Sequence, residues 1–142
     1  MSPQTLAQSY LQKCELRLEI LQFAFDRGGW SDVVREPQEC AELAFKGTLR
    51  ALGRDPPKVH DVGSALLQAR QLFPAGIDVD RMARISQLLR RDRELAFYGA
   101  EDVIPTEAYS EQDAAVAMAQ AQEAVAAARK VIGPDGRGVG AA

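Results

Sequence analysis

Arg81-Met-Ala-Arg-Ile-Ser-Gln-Leu-Leu-Arg-Arg-Asp-Arg-Glu-Leu-Ala-Phe-Tyr-Gly99 is the stretch whose reading decides the fold. It carries five arginines between positions 81 and 93 and ends on an aromatic pair and a glycine. At about 100° per residue, Met82, Ile85, Leu88, Leu89, Leu95 and Ala96 fall on one arc of a helix, and Gly99 is placed to stop it. Asp92 projects into the middle of that arc, with Arg93 at its edge. A carboxylate in an apolar stripe is costly without a partner, so the pattern predicts a buried ion pair there. On the flank, Arg84, Arg91 and Tyr98 recur every seven residues as a column of two cations and a phenol. The segment reads either as a solvated arginine face or as a local anion site.

The neighbouring segments are also helical in period. Residues 4–27 place Ala7, Leu11, Cys14, Leu18, Leu21 and Phe25 on one face, and Gly28-Gly29 ends the run. Ser31 is the expected N-cap of a second helix reaching Leu52, with Val34, Ala41, Phe45, Thr48 and Leu52 inward and Glu39, Glu42, Lys46 and Arg50 outward. Pro37 lacks an amide donor, so that helix should kink or restart near Glu36. Trp30, just before Ser31, reads as a hydrophobic staple rather than a base-stacking platform. Gly53 and the rigid Arg54-Asp-Pro-Pro-Lys-Val-His60-Asp61 link lead into a third helix over 61–72, with Pro74 as its stop. The arginine-rich helix is the fourth and opens near Asp78 or Asp80. An acidic link follows, and Ser110 caps a fifth helix carrying Ala114, Met118, Ala121, Val125, Ala128 and Ile132. No segment alternates with period two. The expected fold is therefore all-α: a five-helix bundle, with an up-and-down four-helix core plus one additional helix, over residues 1–132 and a flexible tail over 133–142.

Composition narrows the function classes. A chain of 142 residues fits one domain with a real core. With 17 basic and 20 acidic residues the net charge is −3, which argues against a general nucleic-acid binder. Any phosphate site must be local, and Arg84, Arg90, Arg91 and Arg93 are its candidates. Cys14 and Cys40 both lie inside helical patterns and read as buried free thiols. They make no ligand spacing with His60, the one imidazole, so neither metal nor cofactor is expected. No apolar run approaches the roughly 20 residues of a membrane span. The N-terminus, with Gln4, Gln8, Gln12 and Glu15, is unlike a signal peptide, and a soluble cytoplasmic protein is the expectation.

Three fragments together carry a family resemblance: Ser31 to Gly53 with its Glu42/Lys46 pair, Pro-Pro-Lys-Val-His60-Asp-Val-Gly63, and Arg93-Glu-Leu-Ala-Phe-Tyr-Gly99. The chain resembles the HEPN domain over roughly residues 5–132. The resemblance implies a short helical bundle that commonly dimerises. Many members are metal-independent ribonucleases with an Arg, four to six residues, then a His. Small stand-alone prokaryotic members are often paired with a minimal nucleotidyltransferase as a toxin–antitoxin system, and one subgroup carries Arg-x4-His-x-Tyr. Here Arg91-Asp-Arg-Glu-Leu-Ala96-Phe-Tyr98 falls in that register, with Ala96 where the catalytic His would stand. Arg54 with His60 also satisfies the bare spacing, but in the link before the third helix, and we read that match as coincidence.

Two classes stay open on these residues. In the first, the protein is a nucleotide- or RNA-binding interaction module with a degenerate ribonuclease motif, acting as a homodimer with a nucleotidyltransferase partner. Its cleft would be lined by Glu42, Lys46, His60, Asp92 and Tyr98, and Tyr98 or Tyr109 would be open to modification by that partner. In the second, it is a divergent metal-independent endoribonuclease using Arg91 and a relocated His60, with Tyr98 a further catalytic candidate. His60 suits acid–base work because its unperturbed pKa lies near neutrality, and suits equally a hydrogen bond that fixes the link. Glu42 and Lys46, one turn apart, are either a surface pair or cleft residues.

Overall fold

The computed structural model describes the backbone of residues 3–58, 62–97 and 109–133, and side chains over 5–58, 62–93 and 109–133. Six α-helices follow one another among the described residues: α1 Pro3–Asp26, α2 Trp30–Arg35, α3 Pro37–Ala51, α4 Val62–Gln68, α5 Val79–Phe97 and α6 Glu111–Ile132. A single 3₁₀ turn, Arg70–Leu72, extends α4, and no strand occurs among the described residues. The architecture is all-α. The expected second helix is divided into α2 and α3 at the point where Pro37 demands it. Pro37 is the first residue of α3, where a missing amide donor costs nothing, and Glu36 N–H closes α2 onto the Asp32 carbonyl at 2.9 Å.

Helix ends follow from identifiable residues. Gly28, at φ +76°, terminates α1: its N–H reaches Phe25 O at 3.0 Å and Gly29 N–H reaches Ala24 O at 2.9 Å. Gly53 repeats the motif after α3 at φ +78°, with Arg54 N–H on Leu49 O at 2.9 Å. Asp78 opens α5 by accepting from Arg81 N–H at 3.0 Å. Ser110 and Asp113 form a reciprocal capping box at α6, at 3.1 and 2.9 Å. Ser31 is not a cap. The double-glycine ending of α1 runs straight into α2, so Gly29 occupies the cap position without a side-chain bond and Ser31 falls inside the helix. Trp30 is likewise the first helical residue rather than the one before the cap, and packs edge-on against Phe25 with ring centroids 5.1 Å apart.

The core joins α1, α3 and α6 on one side to α2, α4 and α5 on the other, with α3 touching all three helices of the second group, α6 touching α2 and α5, and α1 touching α2. Phe45, Leu49, Leu66, Ile85, Leu89, Val125 and Ile132 are its largest sealed side chains. Every apolar position expected inward on α6 is buried, and so are Met82, Ile85 and Leu89 of α5; Leu88 and Leu52 are only partly covered. Thr48, buried in α3, satisfies its hydroxyl by donating to Ala44 O at 2.8 Å. At Gly47 α1, α3 and α6 nearly touch: a Cβ there would lie 2.8 Å from Tyr10 Cβ of α1 and 3.1 Å from Ile132 Cδ1 of α6. No helix among the described residues is long and apolar enough to cross a membrane. Three expectations lie outside the described residues: the Asp61 start of the third helix, the Gly99 stop with the acidic link over 100–108, and the tail over 134–142. The inward positions of Leu95 and Ala96 concern side chains that are not described.

Candidate functional site

The turns of α3 between Gln38 and Lys46 face the C-terminal half of α5 across an open cleft of about 340 Å³. Gln38, Glu39, Glu42, Leu43 and Lys46 line one wall and Arg93 the other. Residues 38, 42 and 46 recur every four positions on one stripe of α3, which is why they act as a unit. Lys46 Nζ lies 3.0 Å from Glu42 Oε1, and Gln38 Nε2 donates to Glu42 Oε2 at 2.7 Å. Arg93 Nη1 donates to Gln38 Oε1 at 3.1 Å and so ties α5 to α3 across 55 positions of sequence. Gln38 is nearly sealed from solvent at 9% exposure, while the Glu42 and Lys46 side chains keep 16% and 27%. Glu39 turns toward α1 and pairs with Arg17 at 3.1 Å.

The structure thus brings together three of the residues singled out above, Glu42, Lys46 and Arg93. It adds Gln38, which the sequence reading missed. Its only signal was the four-residue spacing to Glu42. The cleft presents Lys46 and Arg93 beside Glu42, whose carboxylate is engaged by Lys46 and Gln38, while Glu39 is drawn to Arg17; two cations in one cleft suit a single phosphate held by charge-assisted hydrogen bonds. It contains no imidazole among the described residues. His60 and Tyr98 lie outside those residues, so their expected place in the cleft rests on the sequence alone.

The remaining arginines do not converge on this cleft. Two residues of helix separate Arg91 from Arg93, which puts them about 160° apart around α5. Arg91, 65% exposed, lies on the far flank with the exposed Arg84, seven residues before it, and Arg90 is half-buried between these directions.

Asp92 is not in a buried ion pair. Its side chain keeps 28% exposure, and its partner is the solvent-facing Arg91 at 3.7 Å. Asp92 is also absent from the cleft lining. Burial nevertheless holds its carboxyl above the usual carboxylate range, against the pull of Arg91. Tyr109, just before the α6 cap, belongs to the same cluster: burial raises its phenol, and the charges of Asp92 and Asp113 push it further.

Cys14 and Cys40 are free and buried, as expected. Cys40 Sγ donates to Cys14 O at 3.3 Å, and burial pushes both thiols up to about 12. No group of three or more His, Cys, Asp or Glu among the described residues could hold a metal ion.

The family model of the HEPN domain matches residues 7–132. No curated protein and no solved structure matches the chain.

Proposed function

Because the chain belongs to the HEPN domain family, we propose that it is a nucleotide- or RNA-binding interaction module whose ribonuclease motif has lost its acid–base residue. The observation that carries the binding half is the seating of Arg93 opposite Lys46 in the α3–α5 cleft, braced through Gln38 and Glu42. Two cations across an open cleft attract a phosphate even though the whole protein is acidic, and such binding weakens as salt rises. Arg84 and Arg91 on the opposite flank of α5 supply a second, more exposed positive strip, along which a longer RNA would continue.

The missing chemistry is the other half of the reading. Attack of a 2′-hydroxyl on a phosphodiester needs a group to take a proton and a cation to stabilise the charge that develops. Arg91 offers the cation. Alanine at 96, where the family motif has His, offers no proton transfer. The working protein is a homodimer partnered with a minimal nucleotidyltransferase in a toxin–antitoxin-type pair, as the resemblance implies, with Tyr98 or Tyr109 presented to that partner.

Titration of a fluorescent single-stranded RNA at low salt tests the binding claim. Wild type binds weakly and salt-sensitively. Arg93→Ala reduces affinity most, and Arg91→Ala reduces it less for short RNA. Absence of binding at low salt, or binding indifferent to both arginines, overturns the proposal. Co-purification with a nucleotidyltransferase encoded beside this gene tests the pairing, and two proteins that fail to associate when co-expressed refute it.

A further inference from the structure

We propose that Gln38 is a positioning residue: its side-chain amide fixes the plane of the Arg93 guanidinium and the Glu42 carboxylate together, so that the cleft is preformed for a phosphate. The inference rests on the reading of this cleft as a phosphate site. It assigns a role to a residue that touches no ligand in that reading.

A primary amide can do both tasks at once, from two separate atoms. Its carbonyl oxygen accepts from Arg93 Nη1 at 3.1 Å, and its nitrogen donates to Glu42 Oε2 at 2.7 Å. A carboxylate in its place would accept from arginine but repel Glu42, and an apolar side chain would do neither. The network also fixes which way the amide points, since the reverse orientation would set N–H against the guanidinium and oxygen against the carboxylate. Gln38 is nearly sealed and both of its bonds are part-buried, which limits the water that competes for them. Pro37, immediately before it, is buried at the first turn of α3 and pins the backbone from which the side chain departs.

Without the amide, Glu42 has a direct claim on Arg93 as well as on Lys46. The carboxylate then neutralises the cations that a phosphate would need. With the amide between them, Glu42 stays engaged with Lys46 and Gln38, and Arg93 keeps its orientation across the cleft. Among the described residues, the charged groups around the site are Glu39 and Glu42 of α3 with Lys46, Arg93 of α5, and Arg17 of α1, which draws Glu39 away.

A double-substitution cycle tests this, using a fluorescent single-stranded RNA at low salt and the full chain. Gln38→Leu lowers affinity by about tenfold, as expected for losing a hydrogen bond to a charged group. On an Arg93→Ala background the same change has no further effect, because Gln38 acts through Arg93. Gln38→Glu retains an acceptor for arginine, so the Arg93 guanidinium signals in a ¹H–¹⁵N spectrum remain resolved as in wild type, whereas in Gln38→Leu they average. Equal losses of affinity from Gln38→Leu with and without Arg93 would mean a general structural role and overturn the inference. So would unchanged affinity and unchanged guanidinium signals in Gln38→Leu. If Arg93→Ala itself leaves RNA binding intact, the phosphate-cleft reading fails first, which separates the two outcomes.

Discussion

Substituting Gly47 with alanine probes the junction that sets the α3 wall of the cleft. In an open helix the change would be favourable, by up to about 1 kcal/mol of helix propensity. Here the added Cβ would sit 2.8 Å from Tyr10 Cβ, 3.1 Å from Ile132 Cδ1 and 3.4 Å from Ala7 O. Tyr10 Cβ is rigidly tied to the α1 backbone, so α1 itself must move. With Tyr10 Cβ unable to yield, overpacking falls in the upper part of its usual range, about 2–3 kcal/mol, which outweighs the propensity gain and leaves a net loss of about 1–2 kcal/mol. For a chain of this length the loss corresponds to a Tm lower by roughly 3–8 °C. Thermal and urea unfolding followed by circular dichroism read it directly, with the urea slope unchanged. The loss should also weaken RNA binding only slightly, since the side chains of Lys46 and Glu42 leave α3 in other directions than the Gly47 contact with Tyr10 and Ile132. A Tm equal to or above wild type would refute the close approach of α1, α3 and α6 at this glycine.

Other consequences concern stability and reactivity. Asp92 has a raised folded-state pKa, so its contribution to stability is fully present below the ordinary carboxylate range near pH 4 and is lost as pH rises through the raised value. Asp92→Asn should therefore match wild type in acid and gain on it toward pH 7–8 in urea titrations; a variant that falls further behind as pH rises would contradict the assignment. Ser110→Ala removes one arm of the α6 capping box and should cost about 1 kcal/mol, measurable in the same titration, and an unchanged midpoint would count against that cap. Cys14 and Cys40, with thiols pushed up to about 12 by burial, should resist a thiol reagent at pH 8 until the protein unfolds, and rapid native labelling would show that the α1–α3 interface opens.

Much of the bundle was legible because periodicity and helix-end chemistry are local. Gly28, Gly53, Asp78 and Ser110 each end or begin a helix through bonds made within a few residues, and Pro37 announced the break between α2 and α3 for the same reason. Ser31 misled because two helices share one glycine pair, so the cap that composition favours was pre-empted by the α1 ending. The site was less legible, since it depends on which helix faces which. Glu42, Lys46 and Arg93 were visible as residue types, but the amide joining them is a tertiary contact across 55 positions that no spacing rule announces. Asp92 obeyed the helical period, yet the period says nothing of where the bundle thins. Its actual surroundings, Arg91, Tyr109 and Asp113, come from the end of one helix and the beginning of another.

Metal-free cleavage of single-stranded RNA by the purified protein and by Ala96→His bears most directly on the central claim that the ribonuclease motif around Arg91 has lost its acid–base residue. General acid–base catalysis typically contributes about 10²–10⁴ in rate, so the parent should show only residual turnover and the histidine variant should exceed it by a factor in that range when Arg91 is intact. A parent that already cleaves RNA robustly, and loses that activity on His60→Ala, would contradict the account.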